Sequence, residues 1–178
     1  MVASSPYFIR PATVEDVDAI LQLVVALAIY EKAEDSVKAT PELYRKNLFE
    51  TPYAHTLLAF SGTPDAPGKA IGLAMYFFNY STWTGKPGLY LEDLFVDPAC
   101  RGQGVGKALF AELGKVAEEK VNNDTDCARI DWQVLKWNQP SIDFYEKTLG
   151  ATAMTEWMGM RLEGSQIENL RKFRLTSS

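Results

Sequence analysis

The order of periodic segments predicts a mixed α/β domain with a largely antiparallel first half and a crossover helix in its second half. Three observations carry this. The segments run strand, helix, helix, three strands, helix, strand, helix, strands. A glycine-rich stretch, Arg101-Gly102-Gln103-Gly104-Val105-Gly106, joins an apolar strand to an amphipathic helix. No repeat, low-complexity tract or long linker divides the 178 residues, a length suited to one domain, with its core expected over about 7–173.

Tyr7 to Arg10 reads as the first strand, ended by Pro11. Thr13 offers an N-cap with Asp16 three residues on, and Ile20, Leu23, Val24, Leu27 and Ala28 recur at helical spacing up to Tyr30 or Glu31. Thr40-Pro41 opens a second helix by cap and first-turn proline. His55 to Phe60 is strand-like. Residues 61–69 hold two glycines and two prolines and read as a turn or hairpin loop. Residues 70–80 and 89–96 are long apolar strands, and 104–120 is a helix with Leu109, Leu113 and Val116 on one face. Residues 128–135 alternate as a strand through Ile130, Trp132 and Val134. Residues 141–149 form a short helix closed by Gly150. Residues 151–162 read as one or two strands and 166–173 as a last helical turn or two.

Composition narrows the function. The net charge of −5 disfavours non-specific nucleic-acid binding. Cys100, Cys127 and His55 form no metal-ligand cluster, so no metal is expected. His55 sits at the edge of an apolar run, as a histidine entering a strand does. Residues 1–6 lack a leader pattern and no apolar run is long enough to span a membrane, so a cytoplasmic location is expected.

The glycine stretch suits phosphates for a physical reason. The first turn of a helix has unpaired N–H groups and the positive end of the helix dipole. Glycines let the backbone approach an anion, and Arg101 adds charge. The spacing is neither GxGxxG nor GxxxxGK[ST], which argues against the common dinucleotide and Walker loops. A plain glycine turn between strand and helix is the other reading.

The stretch LEDLFVDPACRGQGVGKALF resembles the coenzyme A-binding segment of the GNAT acetyltransferases. IRPAT at 9–13, GLAMYFFNYSTWTGK at 72–86 and VLKWNQPSIDFYEKTLGA at 134–151 resemble the diamine (spermidine/spermine) and thialysine acetyltransferase branch. The resemblance implies the acyl-CoA N-acyltransferase fold, a central mixed, mostly antiparallel twisted sheet flanked by helices. It implies acetyl-CoA as co-substrate, a small-molecule primary amine as acceptor, and a homodimer packed through C-terminal strands.

Acetylating an amine at neutral pH first requires the neutral form, since an alkylammonium titrates near ~10.4; reaching it costs about 4–5 kcal/mol. A base is therefore useful. Strand alternation puts Glu92 and Asp93 on opposite faces, so one of them faces the cleft. The resemblance selects Glu92, acting through an ordered water; a strand carboxylate paired with a neighbouring cation is the alternative. It also makes Tyr145 the acid that serves the departing thiolate, where a core tyrosine is the plain reading. Leu94, Phe95 and Val96 would line the cofactor arm, with Arg101 to Gly106 on its phosphates. Asn138 and Ser141 would contact the cofactor, though asparagine before a helix is equally an ordinary cap. Tyr30 and Glu31 match the branch's amine-site pair. Trp83 is suited to stack on an alkylammonium. Glu34 and Asp35 add charge nearby or form a solvated helix end. Lys136 and the EKAEDSV segment at 31–37 depart from the spermidine pattern toward a lysine-like amino acid. Cys100 beside Arg101 allows an acetyl-cysteine route, which the family's direct transfer disfavours. Acetylation of protein lysines or N-termini, and coenzyme A binding without turnover, are the competing functions.

Overall fold

A computed structural model describes residues 6–119 and 127–175. The chain divides into two compact units, Met1–Gln133 and Val134–Ser178.

The first unit is built on a five-stranded sheet in the order β1 (Tyr7–Pro11), β2 (His55–Thr63), β3 (Ala66–Ser81), β4 (Lys86–Val96), β5 (Ile130–Trp132). Neighbours pair antiparallel except β4 and β5, which are parallel. Helix α1 (Val17–Tyr30) covers one face, where Ile20 and Leu23 bury against Leu58, Phe60, Leu73, Met75 and Phe95. Helix α2 (Pro41–Tyr44) runs on as a π-turn through Glu50 and adds Tyr44, Leu48 and Phe49 to that side. Helix α3 (Val105–Glu118) covers the other face through Val105, Leu109 and Leu113, which pack on Leu57, Ala59, Ile71, Leu89 and Leu91.

The cap expected before α1 is present. The Asp16 carboxylate accepts the Thr13 N–H at 2.7 Å and holds Arg10 at 2.6 and 2.9 Å, tying the helix to β1. The far end is closed without glycine. Lys32 takes φ 59°, the Lys32 N–H reaches the Ile29 carbonyl, and the Ala33 N–H reaches the Ala28 carbonyl. This is a Schellman closure with lysine in the left-handed position. It fixes where Tyr30 and Glu31 leave the helix.

One expectation in this unit is sharpened and one corrected. The turn or hairpin loop expected over 61–69 is a tighter hairpin: β2 and β3 continue to a two-residue turn at Pro64-Asp65, with register shifts absorbing the Gly62 region. The strand expected over 128–135 shrinks to three residues, because pairing with β4 stops at Leu91↔Trp132.

β4 carries a bulge. Asp93 lies opposite Met75 and Leu91 opposite Tyr76, so Glu92 has no residue across from it. One extra residue reverses the alternation. Leu89 and Leu91 face α3 before the bulge; Phe95 faces α1 after it.

In the second unit, α4 (Gln139–Asp143) continues as a π-turn through Thr148 and ends at Gly150, with φ 74°. A short helix, α5 (Ser165–Glu168), follows. The strands expected over 151–162 are absent among the described residues. Met154, Trp157, Met158 and Met160 alternate poorly, are exposed, and have no ladder beside them. Strand order requires such a partner.

Candidate active site

The glycine stretch meets the helix as its composition suggests. Gly102 and Gly104 take φ 76° and 90°, and Gly104 is the residue before α3. No side chain caps this helix. Its first i→i−4 bond, from the Ala108 N–H to the Gly104 carbonyl, leaves the N–H groups of Val105, Gly106 and Lys107 without helical partners. Val105 is buried in the α3-side core and anchors this turn, so it offers its backbone only. Arg101, Gly102 and Gln103 are exposed.

The strand leading into the loop has an open edge. From Glu92 to Val96, β4 has no ladder partner on its β5 side among the described residues. The Asp97 N–H donates to the Ile71 carbonyl, which sets the phase of the antiparallel ladder. Phe95 and Asp93 therefore turn their main-chain groups to β3, while Leu94 and Val96 turn theirs to the open edge. Of the three residues expected along a cofactor, Phe95 contributes none of its polar groups there. The Val96 carbonyl accepts from the Arg101 Nε at 3.0 Å, consistent with this phase.

Arg101 also links the loop to α1. Its guanidinium carbon lies 4.8 Å from the Tyr30 ring and 5.9 Å from the Phe95 ring. Glu31, next to Tyr30, is half-buried, and desolvation raises its pKa. On the same side of the sheet, the Asp93 carboxyl is pushed up to about 6, first by burial and then by the charges of Glu92 and Glu31. Burial and Asp93 together push the Tyr44 phenol up. Sequence reasoning weighed Asp93 against Glu92 but selected Glu92, and it passed over Tyr44. Plain alternation cannot reveal a bulge, and Tyr44 reads as an ordinary apolar-face residue. Glu92 is exposed at the bulge.

Other candidates lie elsewhere. Trp83 sits in the β3–β4 turn, 88% exposed. The seven β4 steps from Lys86 to Asp93 separate that turn from the carboxyls by about 23 Å of strand, so the chain does not bring Trp83 to them. Glu34 and Asp35 are exposed in a 3-10 turn, the solvated reading. His55 begins β2, and its ring lies tilted against that of Tyr76 with centroids 5.5 Å apart. A cavity of about 250 Å³ beside it, lined by Leu48, Phe49 and Thr56 among others, includes none of the candidate site residues. Cys100 ends the 3-10 turn before Arg101.

Asn138, Ser141 and Tyr145 belong to the second unit. Asn138 is buried, and its Oδ1 accepts the Ser141 N–H at 3.4 Å, so it caps α4. Tyr145 is half-buried in the π-turn with its ring 5.5 Å from that of Phe144.

The model of the acetyltransferase (GNAT) family matches residues 21–151, most of the chain. The chain belongs to that family. The GNAT protein is 39% identical over 170 residues to thialysine N-epsilon-acetyltransferase of Bos taurus, covering 91% of this chain and 95% of that one. It is 37% identical over 146 residues to spermidine/spermine N(1)-acetyltransferase-like protein 1 of Homo sapiens, covering 80% of this chain and 20% of that longer one. Among solved structures, an integron cassette protein from the mobile metagenome of V. cholerae has a TM-score of 0.72 at 24% identity, covering 93% of this chain and 98% of that one. The sheet, the bulged β4 and the glycine-rich α3 start are therefore the frame of an acetyltransferase.

Proposed function

We propose that the protein transfers the acetyl group of acetyl-CoA to a primary amine of a small molecule, either a lysine-like amino acid such as thialysine or a di- or polyamine. One observation carries the reading. The open edge of β4 runs into an uncapped, glycine-started helix, with carboxyls and aromatic rings gathered on the α1 side of the same strand. The names of the two relatives support the acceptor class.

The main-chain groups of Leu94 and Val96 suit an amide-bearing arm lying along the edge, beside Phe95. The N–H groups from Gly104 to Gly106, with Arg101, Gly102 and Gln103, suit phosphates. Arg101 serves there by leaving the Val96 carbonyl, which its Nε now occupies. Asn138 and Ser141 are further cofactor contacts by resemblance. Tyr30 and Glu31 hold the amine; Trp83, which the resemblance groups with them, stands too far along β4 to join them within one chain. The amine's proton leaves through the carboxyls at the bulge, Glu92 reaching it through an ordered water. Acetyl transfer is direct, through a tetrahedral intermediate whose oxyanion a main-chain N–H of the open edge stabilises. Tyr145 protonates the departing thiolate. Two copies pair through the exposed apolar stretch around Met154 to Met160, which supplies the missing ladder partner; sedimentation reads this state directly.

Initial rates with acetyl-CoA on putrescine, spermidine, thialysine, lysine, arylalkylamines and lysine peptides test the acceptor class. Free amines are expected to turn over well ahead of peptides. The reverse ranking makes the protein a protein acetyltransferase, and coenzyme A binding without any turnover makes it a sensor. Tyr145→Phe is expected to lower kcat far more than acetyl-CoA affinity; equal losses refute the acid role.

A further inference from the structure

The proposed exit of the amine's proton lies at the bulge. We propose that Asp93 is a further catalytic residue, the carboxylate on which the acceptor's proton comes to rest. This rests on the reading that an amine is the acceptor.

Without the bulge, residue 93 would continue the set of Leu89 and Leu91 toward α3. The extra residue at Glu92 instead turns it to the side of Met75 and Phe95, beneath α1 and α2. That is the side on which Tyr30 and Glu31 stand. The one-residue irregularity therefore delivers a carboxyl to the amine-holding residues.

From α1, Glu31 faces Asp93; from α2, Tyr44 does; Glu92 adds charge from its own strand. None of the ion pairs among the described residues includes Asp93, Glu31 or Glu92. A half-buried carboxyl beside two others, with no cation to pair it, is costly to fold. An apolar side chain would pack at this position beside Phe95 and Met75 without that cost. The group is the kind that active sites hold.

The raised pKa agrees with the same assignment. A carboxyl shifted up to about 6 is ionised at neutral pH, yet binds a proton more readily than an ordinary carboxylate. A base matched to the operating pH has this property.

The step balances. An N–H bond of the ammonium breaks and its proton goes to an Asp93 carboxylate oxygen. The freed lone pair attacks the thioester carbonyl carbon, forming the N–C bond, and the C–S bond then breaks. The leaving sulfur takes the Tyr145 phenol proton. The second proton lost by the nitrogen restores the phenol. Asp93 returns its proton to solvent through the exposed Glu92 edge.

The experiment is the pH profile of kcat/KM for thialysine at saturating acetyl-CoA, in the wild type, Asp93→Asn and Glu92→Gln. The wild type is expected to gain activity with rising pH through a limb near pH 6. Asp93→Asn is expected to fall ~100-fold or more and to lose the limb, with acetyl-CoA affinity within ~2-fold. Glu92→Gln is expected to lose rate but keep the limb, moved to lower pH because a like charge is gone. Asp93→Asn retaining the limb and a tenth of the rate overturns the proposal. Carboxyl carbon NMR of Asp93 in the wild type reads the same group without turnover. Titration near 6 that falls when thialysine and coenzyme A are added is expected; ordinary titration near ~3.9 overturns the assignment. Absence of turnover on every amine sinks the acceptor reading instead, so the two failures are told apart.

Discussion

Replacing Asp93 by asparagine is expected to make the protein more stable at neutral pH. Folding raises the Asp93 pKa from 3.8 to about 6. Between those values the folded state holds more protons than the unfolded state, so stability falls as pH rises. The carboxyl's full contribution is present below about pH 4 and is lost by about pH 6–7. Two pKa units correspond to about 3 kcal/mol, an upper bound because the side chain is only half-buried. Asparagine fills nearly the same volume and never ionises. Urea unfolding of both proteins at intervals from about pH 4 to 8 provides the assay. The variant's advantage should be near zero at the acid end and ~1–3 kcal/mol at neutral pH. A variant that is less stable at neutral pH, or a gap that does not change with pH, contradicts a raised Asp93 pKa. Comparing the two proteins cancels the opposite contributions of carboxyls such as Asp16 and Asp97, whose pKa values fall on folding.

Three other perturbations test different parts of the frame. Asp16→Asn breaks the pair with Arg10 at 2.6 Å and weakens the cap on Thr13; a loss of about 1–3 kcal/mol at neutral pH is expected in chemical denaturation. Because hydrogen bonding to Arg10 lowers the Asp16 pKa, that loss should shrink as pH falls below the ordinary carboxylate range. Gly104→Ala forces a Cβ onto a residue at φ 90°, 3.4 Å from the Tyr7 hydroxyl, and should cost about 1–2 kcal/mol in thermal unfolding while weakening acetyl-CoA binding by calorimetry. Lys32→Gly relieves the left-handed strain at the end of α1 and should raise stability by ~0.5–1 kcal/mol, read as a higher Tm.

Much of this architecture is visible in local chemistry. Thr13 and Asp16 announce the start of α1, and Thr40-Pro41 that of α2, because caps and first-turn prolines act within a few residues. The glycines at 102 and 104 mark the start of α3 because left-handed φ values exclude most side chains. What stayed hidden depends on distant partners. The bulge at Glu92 exists only in the register of β4 against β3, and a period-two reading through Leu91, Glu92 and Asp93 cannot detect it. It put Asp93, rather than Glu92, among Glu31 and Tyr44. The hairpin through Pro64-Asp65 absorbed prolines and glycines that locally resemble a loop. Conversely, residues 151–162 carry strand-like composition, but composition cannot supply a neighbouring strand. Lys32 gave no warning of a Schellman closure, since lysine rarely adopts that conformation.

The proposed reaction is acetyl transfer from acetyl-CoA to a small primary amine. Mass spectrometry of thialysine incubated with acetyl-CoA and the purified protein tests it most directly. One acetyl group is expected on the side-chain nitrogen, with one coenzyme A thiol released per product and none formed without the amine. Thiol release that is independent of amine, or no acetylated product from thialysine or from any di- or polyamine, would contradict it.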